Sequence, residues 1–273
     1  MICFPNAKIN IGLNIIEKRS DGYHNIESVM YPLTGIVYDA LEIIPNSEDK
    51  VKVTGMKIEG DENDNLCIKA YDLIKMDYPQ VPEITIYLHK AIPIGAGLGG
   101  GSSDAAFFIR LMNDTFQLGI SWGEMHQYAR QLGSDCSFFV SNKPVFAEGK
   151  GEQLESIKLD LSGYFIALVY PDIHINTRKA YSGVSPKEPT RSLENDIQNL
   201  PIGDWKKFIH NDFEDSIFSQ FPELKKIKER LYSSGALYAS MSGSGSAVYG
   251  IFEKEPKVKN KFPDQQVWER KFI

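Results

Sequence analysis

Cysteine, basic excess and long apolar runs are all scarce in this chain, and each scarcity closes off a class of function. Three cysteines occur in 273 residues, Cys3, Cys67 and Cys136, with no Cys-x-x-Cys spacing. That excludes a disulfide framework and a zinc ribbon, and it points to a reducing compartment. The five histidines, His24, His89, His126, His174 and His210, are equally scattered, so no protein-held metal is expected. Acidic residues outnumber basic ones 36 to 30, for a formal charge of −6. The broad basic face that nonspecific nucleic-acid binding requires is missing, and no nucleic-acid partner is expected. No apolar run reaches the ~20 residues of a spanning helix, and no basic-then-apolar leader precedes the first motif. A cytoplasmic protein without a membrane partner is the expectation. With 42% hydrophobic and 24% charged residues, the composition is that of a globular chain of one or two domains.

Against that background one segment stands out: Pro93-Ile94-Gly95-Ala96-Gly97-Leu98-Gly99-Gly100-Gly101-Ser102-Ser103, leading into a helix-forming stretch from Asp104 to Met112. Five glycines in seven residues exceed the needs of a capped turn. Glycine lets a ligand approach backbone amides, and a helix N-terminus offers unpaired N–H groups and partial positive charge. Together they predict a phosphate cradle. Gly95-x-Gly97-x-x-Gly100 also matches the dinucleotide pattern, with Glu124 loosely at the distance of the ribose-binding acid. Pro93 before the loop, and the half-buried alternation from Glu83 to Lys90, argue against that version. No Gly-Lys-Ser/Thr follows, and the protein-kinase set of motifs is absent.

Two further segments bear on chemistry. Pro5-Asn6-Ala7-Lys8-Ile9-Asn10-Ile11-Gly12-Leu13 places Lys8 and Asn10 on one face of a strand; the plain alternative is the solvent face of an edge strand. It is followed by Arg19-Ser20-Asp21-Gly22-Tyr23-His24, on its own a hairpin with incidental aromatics. Near the C-terminus stands Ser240-Met241-Ser242-Gly243-Ser244-Gly245-Ser246-Ala247, on its own a flexible hairpin loop. Asp135, in Leu132-Gly133-Ser134-Asp135-Cys136-Ser137, reads alone as the N-cap of a short helix.

Taken together, the central loop and these two segments resemble the three motifs of the GHMP kinases, over nearly the whole chain. Within that superfamily, Asp21-Gly22-Tyr23-His24 after the Lys8–Asn10 strand resembles the branch acting on a cytidine-diphosphate-linked methylerythritol in the non-mevalonate isoprenoid route. The resemblance implies an ATP-dependent kinase that phosphorylates a hydroxyl of that small molecule, with Mg²⁺ carried in by ATP. Phosphoryl transfer needs positioning and charge neutralisation more than reactive groups. Asp135 would accept the hydroxyl proton, and Lys8 would keep Asp135 ionised and offset phosphate charge. Cys136 and Ser137 stand where the family usually has a small aliphatic residue and a proline. Pro93, Gly95, Gly97, Leu98, Gly99, Gly100, Gly101, Ser102 and Ser103 would bind ATP. Asn10, Tyr23, His24, Thr177, Tyr181, Gly243, Ser244 and Gly245 would bind the substrate. Tyr23 and Tyr181, expected from different domains, would sandwich the cytosine, and His24 would hydrogen-bond it. Competing readings are a sister kinase for homoserine or mevalonate, a dinucleotide oxidoreductase, and a noncatalytic nucleotide- or RNA-binding module.

Periodicity predicts antiparallel strands across residues 2–16, 28–45 and 51–58, and a helix over 65–76 capped by Asn63 or Asp64. It predicts further helices over 103–112, 122–132 (capped by Ser121), 177–184, 205–213, 215–220 and 222–233. Strands are expected at 84–89, 145–149, 164–170, 237–241, 247–253 and, as an edge, 267–272. This is an α+β pattern. The resemblance implies a two-domain architecture: a mixed α/β nucleotide-binding domain over 1–155 and a ferredoxin-like domain over 156–273, with the active site in the cleft.

Overall fold

The structure is a computed structural model that describes residues 1–45, 51–56 and 64–273. Residues 57–58 of the third expected strand and the capping candidate Asn63 lie outside the described residues. In chain order the elements are β1 (Ile2–Cys3), β2 (Lys8–Lys18), β3 (His24–Pro32), β4 (Ala40–Pro45), β5 (Val51–Gly55), α1 (Leu66–Asp77), β6 (Ile84–Lys90), α2 (Gly100–Phe116), α3 (Trp122–Leu132), α4 (Cys136–Ser141), β7 (Val145–Glu148) and β8 (Gln153–Ser156). There follow β9 (Phe165–Tyr170), α5 (Thr177–Ser182), α6 (Leu193–Asn199), α7 (Ile202–Phe208), α8 (Phe213–Gln220), α9 (Pro222–Ser233), β10 (Tyr238–Met241), β11 (Val248–Phe252) and β12 (Gln266–Lys271).

The chain divides into two interleaved units. The first comprises Met1–Ala7, Val37–Ile94 and Gly99–Lys143; the second comprises Lys8–Ile36, Gly95–Leu98 and Pro144–Ile273. Residues 155 and 156 both lie in the second unit, because β2 pairs with β3, β3 with β7 and β7 with β8.

In the first unit the sheet order is β1-β4-β6-β5. β6 runs antiparallel to β4 but parallel to β5, which corrects the expectation of antiparallel pairing for the strand at 51–58. The reason is α1, which supplies the crossover that parallel neighbours need. Asn65, not its neighbours, caps α1: its side chain accepts from Cys67 N–H at 2.9 Å. Asp64 is engaged by Lys69 Nζ at 3.0 Å instead. α2 starts three positions earlier than its apolar pattern suggests. A Cβ on Gly100 would lie 2.9 Å from Ile92 Cγ2, so the bare glycine lets the first turn press on Ile92, and that packing offsets glycine's low helix propensity. α3 runs as expected, because Ser121 and Glu124 form a reciprocal capping box. Glu124 is thereby used: its carboxylate accepts from Ser121 N–H at 2.8 Å and Oγ at 2.6 Å. With Glu124 held in the cap, and the strand that follows α2, α3 and α4 placed in another sheet rather than parallel to β6, the dinucleotide-binding reading fails on both counts.

A buried polar cluster ties the two ends of the glycine segment's first-unit flanks. Lys90 Nζ pairs with Asp39 and, at 2.6 Å, with Asp104 Oδ2 in α2. Asp39 Oδ1 also accepts from Ala91 N–H at 2.6 Å and Ile92 N–H at 2.9 Å. Burial pushes the Asp104 carboxyl up to about 8, against the opposing pull of Lys90. In the unfolded chain this carboxyl titrates near 3.8. Between about pH 4 and 8 the folded state therefore holds a proton that the unfolded state has released, and stability falls as pH rises across that window. Asp104→Asn, which is neutral throughout, should flatten that fall. Denaturant unfolding at pH 5 and pH 8 measures it; equal pH dependence in both proteins would rule out Asp104 as the titrating group.

The second unit holds two sheets, β2-β3-β7-β8 and β10-β11-β9-β12. β9 alternates with no polar residue and is flanked antiparallel by β11 and β12, with β12 at the edge as its charged sequence predicts. Leu224, Ile227 and Leu231 on α9 pack into the core with Ala239, Val248 and Phe252. Each such fully buried aliphatic side chain contributes about 1.5–3 kcal/mol. The helix expected over 205–213 is α7, which starts earlier, at Ile202, and stops at Phe208; the helix expected from 215 is α8, which starts at Phe213. α7 stops short because the segment between the two helices pairs with β2. Leu13 N–H donates to His210 O, and Asp212 N–H donates to Leu13 O, each at 2.9 Å. α6 and β8, short and weakly patterned, are additions to the sequence expectation.

Candidate functional site

β2 carries Lys8 and Asn10, yet neither faces solvent: they are 4% and 3% exposed. The solvent-face alternative is therefore wrong: β2 stands at the edge of its sheet, yet residues 8–13 are buried. Lys8 Nζ donates to Asn10 Oδ1 at 2.5 Å, Asn10 Nδ2 donates to Ser28 Oγ at 2.8 Å, and Ser28 Oγ donates to Gly12 O at 2.7 Å. The chain of donors gives the carboxamide one orientation and the ammonium a fixed seat. Ser28 was not singled out from the sequence. Its signal is a lone small hydroxyl within the apolar run of β3, opposite Leu13 at a register shift.

The loop between β10 and β11 meets this corner. Asn10 N–H donates to Ser242 Oγ at 3.2 Å, and Ser242 Oγ donates to Gly97 O at 2.8 Å. Lys8 N–H donates to Leu98 O at 3.0 Å, and Ala247 N–H to Ala96 O at 3.1 Å. Residues 95–98 of the glycine segment are thus bound to Lys8, Ser242 and Ala247 inside the second unit. A Cβ on Gly95 would lie 2.8 Å from the His174 ring.

The remainder of the glycine segment belongs to the first unit. Pro93 is buried at its entry, and Gly99 caps α2 with φ +71°. Gly100, Gly101, Ser102 and Ser103 form the first turn, with Ser103 N–H donating to Gly99 O at 2.9 Å. Ser103 Oγ is buried without a hydrogen-bond partner among the described residues. Asp135 stands at the N-cap of α4, in αR conformation, and its side chain makes no capping bond; capping does not explain the residue. The next residue, Cys136, hydrogen-bonds Ser102, and burial pushes its thiol up to about 11. It is a neutral filler joining α4 to the start of α2.

A cavity of about 700 Å³ in the second unit is lined by Tyr23, His24, Thr177 and Tyr181, with Lys18, Lys150 and Arg178 adding positive charge. Thr177 opens α5 and its Oγ1 lies 3.1 Å from Ser244 Oγ, so the cavity adjoins the Gly243–Gly245 loop. One turn on, Tyr181 stacks on His24, centroids 4.7 Å apart and planes at 14°. Two expectations change here. Tyr23 and Tyr181 come from one unit, because the β2–β3 hairpin and α5 both belong to it. The ring lying on Tyr181 is that of His24, because successive residues entering β3 project to opposite sides. Tyr23 is 61% exposed, with Lys150 Nζ 4.8 Å from its ring centroid. Lys150 was another residue without a sequence signal beyond its place between two glycines. Burial, then the Lys18 charge, holds His24 below its ordinary value. A neutral imidazole carries one donor and one acceptor, the equipment for reading a base edge.

Comparison with known proteins shows the family. The GHMP kinases N terminal domain model matches residues 65–143 and the GHMP kinases C terminal model matches residues 196–265. Among similar proteins, one from Parabacteroides distasonis is 49% identical over 98% of both chains. One from Bacteroides thetaiotaomicron is 51% identical over 93% of both. Each of those two relatives is named 4-diphosphocytidyl-2-C-methyl-D-erythritol kinase. A solved 4-(cytidine 5'-diphospho)-2C-methyl-D-erythritol kinase superimposes with TM-score 0.79 at 28% identity, covering all of both chains. A homoserine kinase from Cytophaga hutchinsonii, at 13% identity and TM-score 0.66 over 98% of this chain and 94% of its own, shares the fold.

Proposed function

The chain belongs to the GHMP kinase family and is an ATP-dependent small-molecule kinase, and from that premise we propose that it phosphorylates a hydroxyl of 4-diphosphocytidyl-2-C-methyl-D-erythritol, giving the 2-phosphate and ADP. The observation that carries the substrate assignment is the cavity with Tyr23, His24 and Tyr181 on its walls. Homoserine and mevalonate offer no base for such rings. The names of the relatives near 50% identity supply independent support.

In this reading the cytosine stacks in the cavity, with His24 reading its edge. Thr177 and Ser244 meet the diphosphate. Asn10 acts by orienting Lys8, since both ends of its carboxamide are engaged within the protein. The backbone of Gly95–Gly101 receives the ATP phosphates, and Ser103 Oγ, an orphan hydroxyl in the first turn of α2, fits as a donor to a phosphate oxygen of Mg·ATP. Magnesium supplies charge neutralisation on those phosphates. Asp135 accepts the proton of the attacking hydroxyl, and the Lys8 ammonium offsets charge on the transferred group.

ADP release with Mg·ATP and each of three alcohols, the cytidine compound, homoserine and mevalonate, is the direct assay. Tyr181→Ala is expected to raise KM for the cytidine compound about tenfold or more, since it removes an aromatic wall of the cavity and the ring that holds His24 in place, where base–aromatic contact is worth about 1–3 kcal/mol, and to leave KM for ATP unchanged. His24→Ala should narrow the preference for the cytidine over the uridine analogue. Faster turnover of homoserine or mevalonate by the wild type, or unchanged KM and base preference in both variants, would defeat the substrate assignment.

A further inference from the structure

We infer that Asn211, between α7 and α8, is the positioning residue for the Gly243 loop and, through it, for Lys8. Its carboxamide is 3% exposed and engaged on every side. Nδ2 donates to Met241 O at 2.9 Å and to Gly243 O at 2.8 Å. Oδ1 accepts from Phe213 N–H, the first residue of α8, at 3.0 Å. One planar group therefore spans the turn from the end of β10 to the loop's first glycine. Only an amide brings two geminal donors and an acceptor in that plane; aspartate has the shape and no donor.

The backbone on either side of Asn211 is stitched to β2. Besides the two Leu13 bonds, Ile15 N–H donates to Asp212 Oδ2 at 2.8 Å. Asn211 is thus fixed relative to the strand that carries Lys8 and Asn10, and it transmits that position to the loop. Gly243 needs the precision. A Cβ there would lie 3.3 Å from Asn10 Oδ1 and 3.4 Å from Gly97 Cα. Asn10 Oδ1 accepts from the Lys8 ammonium at 2.5 Å. The neighbouring Ser242 ties the same loop to both partners, accepting from Asn10 N–H at 3.2 Å and donating to Gly97 O at 2.8 Å, so a displaced loop pulls on Asn10 and on Gly97 together. The path runs Asn211 to Gly243 to Asn10 to Lys8 within the second unit, and the same loop brings Ser244 to Thr177 at the border of the cytosine cavity.

This role rests on the kinase reading above, and the test separates the two. Asn211→Asp and Asn211→Ala are compared with wild type and with Tyr232→Phe. The last variant loses a bond of similar kind on the same strand, Tyr232 Oη to Ala239 O at 3.1 Å, away from the loop. Steady-state kinetics per folded molecule with Mg·ATP and the cytidine compound should show kcat down roughly 10–100-fold in both Asn211 variants, with KM for the cytidine compound rising as well, because Ser244 moves with the loop. Tyr232→Phe should lower Tm and keep kcat. Hydrogen exchange of the peptide covering residues 241–247, where Gly245 N–H donates to Ser242 O at 2.9 Å, should be about tenfold faster or more in the Asn211 variants. The peptide covering β9 should be unchanged. If Asn211→Asp does not fold, Asn211→Ala carries the test. Unchanged loop exchange overturns the inference whatever the activity. So does unchanged kcat in an active enzyme, or an equal kcat loss in Tyr232→Phe. A wild type inert toward the cytidine compound defeats the substrate assignment instead, and loop exchange alone then decides the role of Asn211.

Discussion

Asp135→Asn is expected to lower turnover by roughly 10²–10⁴, the range for loss of a positioned general base, while ATP affinity and Tm stay near wild type. The fold should tolerate the change. Asp135 makes no capping bond to α4, so its charge is not what starts that helix. Asparagine keeps the size of the side chain and removes its ability to accept a proton. Lys8→Met is the companion variant. Methionine fills the same buried volume on β2, but Asn10 Oδ1 loses its donor and the transferred phosphate loses its cation. Turnover should fall more than stability. Single-turnover kinetics on the purified variants, with ATP binding measured by calorimetry, distinguish the cases. Near-normal turnover in Asp135→Asn would sink the base assignment. A Lys8→Met protein that is largely unfolded, with full turnover in its folded fraction, would make Lys8 structural.

Gly97→Ala should nearly abolish ATP binding. The residue sits at φ +76°, a conformation that costs a non-glycine residue about 1–3 kcal/mol. A Cβ there would also lie 1.9 Å from Ser242 O. The obstacle is backbone, held in turn by the Gly245 N–H at 2.9 Å, so it has no rotamer by which to yield. Overpacking adds about 1–3 kcal/mol. The loop must move, and with it the amides that receive phosphate. A loss of ATP affinity of roughly 10²-fold or more follows from the sum. Gly101→Ala is the contrast, because nothing lies within 4 Å of a Cβ at that position. Circular dichroism checks the fold, and calorimetric titration with ATP reads the effect. Affinity within twofold of wild type in Gly97→Ala would show that the approach of Ser242 to Gly97 does not shape the phosphate loop.

Much of the secondary structure was legible because its causes are local. α3 and α9 have the boundaries that their apolar spacing and starting residues announce: Ser121 with Glu124 for one, Pro222 at the first turn for the other. The misreadings also have local patterns, overruled by contacts. The 205–213 stretch carries helix periodicity, but pairing of His210 and Asp212 with Leu13 draws it out straight. Glycine at positions 100 and 101 argues against a helix, and packing on Ile92 imposes one. For the site, residue types and motif order announced a phosphate loop, a lysine strand and an aromatic pair, and these were sufficient for the family. Ser28, Lys150 and Asn211 were invisible, because each is an ordinary polar residue whose importance arises from what is packed against it.

By itself, then, the chain's order of residues determined which loop is the candidate phosphate cradle, that Ser121 caps α3, and which lysine and aspartate are candidates for chemistry. Those features depend on neighbours a few positions away, and short-range hydrogen bonding and steric preference write them directly into the string. Tertiary structure alone decided that β2 and β3 join the C-terminal sheets in one unit, that His24 rather than Tyr23 lies on Tyr181, and that Asn10 holds Lys8. It also decided that Asn211 holds Gly243. Such pairings join residues far apart in the chain, 232 positions for Asn10 and Ser242. Their energy comes from leaving no buried polar group unpaired, a condition that exists only once the chain has closed around them.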